Sequence, residues 1–462
     1  MRVRSPQSGR FAVPVARKHP EDDPAAIPAG FRGSGIGASP DAESVQPAGM
    51  SAHAWVVVAL LVFSVVVNYV DRSDLSIAAP LMQKQFALTP VQLGSLLAAF
   101  FWTYALMQIS GIAGWLSDRF PAGWVILCGY VMWSLATVAT GLTAGFVTLF
   151  ALRLLLGVGE SVAYPCYSRI FAQLPQQYRG RANAFIDAGT KLGPAAGAFV
   201  GGMLVVHFGW RMLFVVLGLG GLLWVPPWWK LMPRTGAAAQ PEQAAPAESI
   251  FRVLRLRSAW GTFLGHFCGN YFFYFLLAWL PEFLVREEHL SIGSMSRLTT
   301  AVFLLIAVST LVAGWTSDRL IARGVSPTRV RKTVVVGGLA LASVLMALAV
   351  VPRSNAAVGL TLLAVACVGY GAFASNHWAI TQTLAGPTMA GRWSSLQNGF
   401  ANFSGIAAPW IAGWIAQANG SSRVAFVVAG GVALAGALSW GLLVRRVEPV
   451  PWNAAPAAPR VS

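Results

Sequence analysis

Charged side chains are rare deep within the long apolar stretches of this sequence, and those that occur there lie in its first half. A charged side chain in a lipid-facing helix costs about 2.5–3.5 kcal/mol on insertion scales, so such residues usually face a water-filled cavity and pair with one another. Their guanidinium and ammonium groups could bind an anion, and their carboxyl groups could carry protons. They are Asp71, Arg72 and Asp74 in the first stretch, Arg153 and Glu160 in the fourth, and Asp187 and Lys191 in the fifth.

The spacing of these residues indicates which of them share a helix face. Arg153 and Glu160 are two helical turns apart, which places them on one face about 10 Å apart along the axis. Asp71 and Arg72 are neighbours, so their side chains point about 100° apart and can address different partners. We therefore expect Asp71 to face the fourth stretch and Arg72 to face the cavity. For Arg153, a structural or coupling role is as reasonable as contact with a substrate.

Other interpretations of these charges stay open. Asp187 and Lys191 have the spacing of an i,i+4 ion pair, and an internal salt bridge alone would explain both of them. Asp71, Arg72 and Glu160 could form an ion cluster that only sets helix packing.

The second half has no acidic or basic residue deep in an apolar stretch. Its polar side chains there include His266 and His377, which are more typical of satisfied polar residues than of proton carriers. The four cysteines are scattered along the chain, whereas a disulfide framework or a zinc site needs clustered thiols. No nucleophile–base pair or cofactor motif is evident, so we expect no enzyme activity, no cofactor and no metal.

The composition requires lipid to cover much of the surface. Of the 462 residues, 56% are hydrophobic and only 11% are charged, with a mean hydropathy of +0.60. An average soluble domain is about 25% charged, so this chain has too little charge to cover a soluble surface. The composition excludes a disordered chain, a fibrous repeat and an ordinary cytosolic enzyme.

Twelve apolar stretches, each long enough to cross a bilayer, divide evenly about a Pro- and Ala-rich linker. They predict an all-α membrane protein with two six-helix halves. The halves are 53–231 and 258–446, the cytoplasmic linker is 232–257, and the tails are 1–52 and 447–462, the first of them disordered. The predicted spans are about 53–78, 91–116, 122–142, 146–168, 181–206, 210–231, 258–284, 295–317, 331–351, 356–383, 393–417 and 423–445.

The basic residues separate by membrane face. Twelve spans place both tails, the linker and every second loop on one face, and 24 of the 33 Lys and Arg residues fall there. Six fall on the opposite face, and three lie inside predicted spans. The positive-inside rule makes the first face cytoplasmic. The net charge of +16 therefore reflects topology, and we expect no nucleic acid as a partner.

A six-residue string recurs at the same place in each half. It reads G-W-x-S-D-R at 114–119 and again at 314–319. The string resembles the G-x-x-x-D-R loop signature of the major facilitator superfamily, although the first copy lacks the basic residue that usually follows. This resemblance implies two six-helix halves that rock about a site at the midplane. It also implies a gate role for four residues: Asp118, Arg119, Asp318 and Arg319.

Longer motifs resemble the anion:cation symporter family within that superfamily. Its first-span motif N-Y-x-D-R matches 68–72, and its fourth-span motif R-x-x-x-G-x-x-E…P matches 153–165. The resemblance runs from about residue 55 to 446, and members of the family include bacterial transporters of galactonate, glucarate and hexuronate. Further matches in the seventh, tenth and eleventh spans are Asn270-Tyr271, Tyr274, Trp279-Leu280-Pro281, 382–387 and 402–405.

This resemblance implies a role for each matching residue. Arg72 would bind a substrate carboxylate, which suits a planar guanidinium that stays charged in a dry cavity. Asp71 and Glu160 would carry protons, and Arg153 would couple their protonation to movement of the halves. Asp187 and Lys191 would be accessory residues, beside Thr190 where relatives often have Gln. The residues implied to contact the substrate are Tyr69, Tyr104, Trp378, Gln382 and Asn402.

The sequence and the resemblance together predict a secondary active transporter. We expect proton-coupled import of a small organic anion, such as a sugar acid, by a monomer in the bacterial inner membrane. The expected partners are that anion, protons and the lipid bilayer, and both termini are cytoplasmic. Alternatives are an organic-anion or organophosphate antiporter, which would use a second cavity arginine that 258–284 lacks, and an amphiphile exporter. The exporter is suggested by glycines every four residues in the fifth span, which close packing also explains.

Overall fold

The computed structural model describes residues 50–171, 173–174, 176–233, 250–351 and 356–452, and its regular elements are all α-helices. Most of the predicted tail 1–52, the middle of the linker 232–257 and the end of the tail 447–462 lie outside the described residues. The helices are α1 (Ala52–Phe86), α2 (Pro90–Ile109), α3 (Ile112–Arg119), α4 (Ala122–Gly141), α5 (Phe146–Ser161), α6 (Ala163–Phe171), α7 (Gln176–Leu222), α8 (Val225–Leu231), α9 (Ile250–Leu254), α10 (Arg257–Arg286), α11 (Ile292–Ala322), α12 (Pro327–Ala349), α13 (Ala356–Asn419) and α14 (Arg423–Leu442).

Short polar signals define where several helices begin. α2 starts with a reciprocal capping box, in which the Thr89 hydroxyl accepts from the backbone N–H of Gln92 and the Gln92 side chain accepts from that of Thr89. Proline occupies the first helical position of α2 and of α12, where its missing N–H costs nothing. The remaining length of each helix is apolar, so lipid and neighbouring helices stabilise it.

Within the described ranges, ten helices are long and apolar enough to cross a membrane. Two of the long helices contain a glycine with a left-handed backbone, Gly209 at φ 78° in α7 and Gly386 at φ 63° in α13. Glycine adopts this conformation without steric cost, so the helix direction can change there. Both glycines lie between predicted spans. The all-helical membrane architecture is confirmed, and breaks at these glycines are compatible with the twelve predicted stretches.

The two halves pack closely at the end of the bundle where α1 meets α2. A Cβ atom at Gly94 of α2 would lie 2.6 Å from the carbonyl oxygen of Pro409 on α13, so only glycine permits this approach. Nearby, the Ser296 hydroxyl of α11 donates to the carbonyl oxygen of Ala198 on α7, at 2.5 Å. We call this end the α1–α2 end. It holds the halves together on one side of the buried charges.

Candidate functional site

Arg72 lies buried in α1, enclosed by one carboxylate and three aromatic rings. Its Nε donates to Oε2 of Glu160 on α5 at 3.1 Å. The guanidinium carbon lies 4.5 Å from the ring centre of Tyr69 and 4.9 Å from the ring centres of Phe100 and Tyr104. Rings at this distance stabilise a desolvated cation. The predicted Arg72, Tyr69, Tyr104 and Glu160 are therefore brought together.

One nitrogen of this guanidinium is left over. Nη2 of Arg72 is buried and has no hydrogen-bond partner in the part of the chain that the structure describes, and the same holds for Oε1 of Glu160. A buried donor on a charged group that lacks a partner is costly, so a ligand that supplies an acceptor would gain that free energy. A carboxylate supplies two acceptor oxygens in the plane that a guanidinium requires.

Arg153 of α5 is held by two groups of α1. Its Nη2 donates to Oδ1 of Asp74 at 2.7 Å, and its Nη1 donates to the main-chain carbonyl of Asp71 at 3.1 Å. Asp71 therefore contacts α5, as expected, but through its backbone carbonyl. The carboxylate that pairs with Arg153 is that of Asp74. Sequence reasoning noticed Asp74 but gave it no role, because the choice between two carboxylates three residues apart depends on packing against α5.

The carboxyl group of Asp71 points into a second polar region between α1 and α4. It is within hydrogen-bonding reach of Thr137, while its Oδ1 has no partner among the described residues. Asn68 one turn away, Tyr130 and Trp133 also carry buried polar atoms without a partner in the described chain. Sequence reasoning missed Tyr130, Trp133 and Thr137, although their i, i+3, i+7 spacing on α4 marks one helix face.

The second half contributes neutral polar groups and rings. The Tyr274 hydroxyl of α10 donates to Oδ1 of Asn402 on α13 at 3.3 Å, and the ring of Tyr274 lies 4.5 Å from that of Phe101 on α2. Trp378 is half-buried beside two histidines, whereas Gln382 one turn later is exposed. Asn402 thus lies near the first half, and contact of Gln382 with a substrate stays a prediction.

Asp187 and Lys191 form the predicted i,i+4 ion pair within α7. The distance from Lys191 Nζ to Asp187 Oδ1 is 3.8 Å, and their side chains are 21% and 58% exposed, respectively. This spacing prediction is confirmed. Because both side chains are partly exposed, solvent or a ligand can reach them.

Glu282 is a buried carboxyl group in the second half to which sequence reasoning gave no role. Glu282 of α10 is only 3% exposed and accepts from Arg286 at 3.3 Å. Arg286 also donates to Gln83 of α1, at 3.4 Å. The sequence expectation placed no charge deep in a second-half stretch. Glu282 lies near the end of its helix at the α1–α2 end, so that expectation stays a prediction.

The Asp and Arg side chains in both copies of the repeated string are exposed, and the two copies make different contacts. In the first copy, Asp118 forms an ion pair with Arg169 of α6. In the second copy, the guanidinium of Arg319 lies 5.2 Å from the ring centre of Trp315. The side chains of Arg119 and Asp318 are exposed. The gate role of these residues stays a prediction.

In the ranges that the structure covers, no group of three or more His, Cys, Asp or Glu side chains is arranged to hold a metal ion. The four cysteines are free thiols, three of them buried. The contacts that the site makes are ion pairs and hydrogen bonds.

Comparisons with known proteins agree with this architecture. A family model described as Major Facilitator Superfamily matches residues 61–409. The hexuronate transporter of Bacillus subtilis (strain 168) is 30% identical over 407 residues, covering 85% of this chain and 94% of that protein. The D-galactonate transporter of Escherichia coli O6:H1 is 29% identical over 423 residues, covering 85% and 95%. The probable galactarate/D-glucarate transporter of Escherichia coli K12 is 30% identical over 416 residues, covering 83% and 93%.

Solved structures share the fold at lower identity. A bacterial homolog of the human lysosomal transporter Spinster, in an inward-facing and occupied conformation, superposes with a TM-score of 0.74. Its sequence is 18% identical, and the match covers 87% of this chain and all of that one. This likeness supports the helical architecture and carries no information about the substrate.

Proposed function

The chain belongs to the Major Facilitator Superfamily, and from that premise we propose that it is a proton-coupled symporter that imports a sugar acid. Its relatives are named as transporters of hexuronate, galactonate and galactarate or glucarate, all of which are organic anions. The proposal places the protein in the bacterial inner membrane as a monomer, with both termini cytoplasmic. The basic residues of the sequence support this orientation through the positive-inside rule.

The observation that carries the proposal is the unpartnered Nη2 of Arg72. This nitrogen belongs to a buried guanidinium packed among three rings and paired through Nε with Glu160. A substrate carboxylate that docks here gains a charge-assisted hydrogen bond in a site from which water is largely excluded. It would also compete with Glu160 for the same guanidinium.

The charges around Arg72 give a physical reason for proton coupling. The buried cluster contains two arginines, Arg72 and Arg153, and three carboxyl groups, Asp71, Asp74 and Glu160. With every carboxyl ionised, the cluster carries one excess negative charge, and a bound anion makes the excess two. A buried charge without compensation is costly, so binding of the anion favours protonation of a carboxyl group. Protonation of Glu160 would release Arg72 to bind the substrate, and this would link binding of the proton to binding of the substrate.

Close packing of α7 against α1, within the first half, accounts for the glycines that suggested an exporter. A Cβ atom at Gly193 of α7 would overlap the side chain of Tyr69, and one at Gly197 would overlap that of Ser73. These glycines let α7 approach α1 and thereby support the Tyr69 ring beneath Arg72. The exporter alternative therefore loses the feature that suggested it.

The proposal is tested by uptake into proteoliposomes. Purified protein is reconstituted, and accumulation of labelled D-galactonate and D-glucuronate is followed with and without an inward pH gradient. We expect accumulation above the external concentration only with the gradient. Accumulation that is unchanged when an ionophore collapses the gradient would contradict proton coupling. Transport of neither acid would overturn the proposed substrate class.

A further inference from the structure

Two histidines that the proposed mechanism does not use lie together in the second half. His266 of α10 and His377 of α13 are 3% and 5% exposed, and their ring centres are 4.6 Å apart. The ring of Trp378 lies 4.8 Å from that of His266 and 5.1 Å from that of His377. We call His266, His377, Gln397 and Thr381 the histidine cluster. Its members come from α10 and from both sides of the Gly386 break in α13.

Gln397 orients the first imidazole. Its Oε1 accepts from the hydroxyl of Thr381 at 2.8 Å, which turns its Nε2 toward Nδ1 of His266 at 3.3 Å. These contacts hold the His266 ring in place with groups of its own half.

The second imidazole, that of His377, has one nitrogen without a hydrogen-bond partner among the described residues. Nδ1 of His377 lies 3.0 Å from the carbonyl oxygen of Ala374, one turn earlier in α13. A carbonyl only accepts, so Nδ1 holds the proton of the neutral ring and Nε2 presents a lone pair. That Nε2 is buried and has no hydrogen-bond partner within the described ranges. A group that donates a hydrogen bond would satisfy it.

The histidine cluster faces the opposite half of the transporter. Lys191, on α7 in the first half, interacts electrostatically with both imidazole rings. Its charge is offset by Asp187, with which it forms an ion pair. The region between the cluster and α7 therefore offers donors and acceptors without an uncompensated positive charge, in contrast to the surroundings of Arg72.

We propose that Nε2 of His377 accepts a hydrogen bond from a hydroxyl group of the substrate, and that the substrate is consequently a polyhydroxy acid with a single carboxylate. This inference rests on the proposed function and refines it. A hexuronate or an aldonate such as galactonate fits, because it places one carboxylate at Arg72 and hydroxyl groups elsewhere. An aldarate such as galactarate does not fit, because it carries a carboxylate at each end.

The discrimination follows from elementary hydrogen-bond chemistry. A second carboxylate brings only acceptor oxygens, which repel the lone pair of His377 Nε2. The cation in this region, Lys191, is already paired with Asp187 and so offers these oxygens little compensation. A hydroxyl group both donates and accepts, so it satisfies the imidazole and loses little on leaving water. A site built for a hydrogen-bonding group rejects ligands that leave its buried atoms unpaired.

The first experiment measures binding by the full-length protein. Unlabelled D-galactonate, D-glucuronate and D-galactarate compete against labelled D-galactonate in purified protein and in proteoliposomes. We expect the two monocarboxylates to compete at concentrations at least about tenfold lower than galactarate. This difference corresponds to the loss of one hydrogen bond at His377 Nε2, to which charge repulsion adds. Equal or tighter competition by galactarate would overturn the inference while leaving sugar-acid transport intact.

The second experiment tests His377 directly. His377→Leu should weaken galactonate binding about tenfold and should scarcely change binding of glycolate, a short hydroxy acid that does not extend beyond the Arg72 region. His377→Gln retains a hydrogen-bonding side chain and should recover part of the loss. His207→Leu, at an exposed histidine of α7, is the matched control and should bind as the unaltered protein does.

Two results would contradict the role of His377. One is an equal loss of galactonate and glycolate binding in His377→Leu, which would indicate a general packing defect. The other is unchanged galactonate binding in a folded His377→Leu protein. Binding of none of these acids by the unaltered protein would overturn the proposed function, and the subsite with it.

Discussion

The two halves of this protein share a repeated string, yet they fill their shared interface with different chemistry. The first half buries two arginines and three carboxyl groups, paired across α1 and α5. The second half lines the facing helices with histidine, glutamine, asparagine and tyrosine hydroxyl groups joined by neutral hydrogen bonds. Its buried carboxyl, Glu282, lies apart from these groups at the α1–α2 end.

This contrast suggests a division of labour. A site that binds an anion and exchanges protons needs charges whose balance can change, and these are concentrated in one half. A site that distinguishes one polyhydroxy acid from another needs fixed donors and acceptors, which neutral groups provide without a large desolvation cost. Rocking of one half against the other would then join and separate the two functions.

The largest predicted effect concerns the charged half. Glu160→Gln should abolish gradient-driven accumulation, because the amide that replaces the carboxyl group cannot take up a proton, while exchange of internal for external substrate persists. The measurement is the ratio of internal to external labelled galactonate in proteoliposomes. Glu282→Gln replaces the buried carboxyl of the other half and should leave coupling intact. Loss of coupling in Glu282→Gln, or accumulation by Glu160→Gln, would contradict the claim that proton coupling resides in the charged first half.

The next effect is on stability. Arg153→Leu leaves Asp74 buried without its partner, which should cost about 3–5 kcal/mol and lower the Tm in detergent. The double variant Arg153→Leu with Asp74→Leu removes both charges and should recover most of that loss, because the desolvation cost of both groups also disappears. A double variant no more stable than the single one would show that the cost comes from packing.

A smaller effect tests the support beneath Arg72. Gly193→Ala places a methyl group against Tyr69, so α7 must shift away from α1. We expect a loss of about 1–3 kcal/mol in stability, as for other overpacked sites, together with weaker galactonate binding. Gly431→Ala in α14 meets open space and is the control, with unchanged or slightly raised Tm. Normal binding by Gly193→Ala would remove this glycine from the account of the site.

The smallest effect is a pH dependence outside the membrane-spanning segments. Partial burial would raise the pKa of Glu287, but hydrogen bonds from Ser422, Ser421 and Arg423 outweigh it and lower the pKa below its usual value. These hydrogen bonds therefore stabilise the folded protein fully at any pH above the unfolded-state pKa of Glu287. The stabilisation is lost as the pH falls through the lowered folded-state pKa of Glu287. Glu287→Gln should reduce the free energy of unfolding at pH 7 by less than about 1 kcal/mol, measured as a small fall in Tm that vanishes in acid. A difference that persists in acid would assign the effect to packing.

Local features could be predicted from the sequence, whereas partners across helices could not. The Asp187–Lys191 pair follows from four-residue spacing within one helix. The helix breaks at Gly209 and Gly386 lie where two apolar stretches meet. The pairing of Arg72 with Glu160 joins residues 88 positions apart, so the motifs indicated both residues but not their contact.

The remaining differences depend on small displacements that spacing does not specify. Asp71 and Asp74 are one turn apart in α1, and only the packing of α5 decides that Arg153 binds the carboxylate of Asp74 and the backbone of Asp71. Glu282 lies near a helix end, and its burial beside Arg286, which donates to Gln83 of α1, follows from packing between helices. The tautomer of His377 depends on a carbonyl one turn away, which the sequence does not reveal.

The most direct test of the central claim is a count of protons bound with the substrate. D-galactonate is mixed with purified protein in weakly buffered detergent solution, and a pH indicator reports proton uptake as binding saturates. Our account predicts uptake of about one proton per bound anion at neutral pH, and a much smaller uptake in Glu160→Gln. Binding of galactonate with no proton uptake by the unaltered protein would contradict the claim that the charged half couples substrate binding to proton binding.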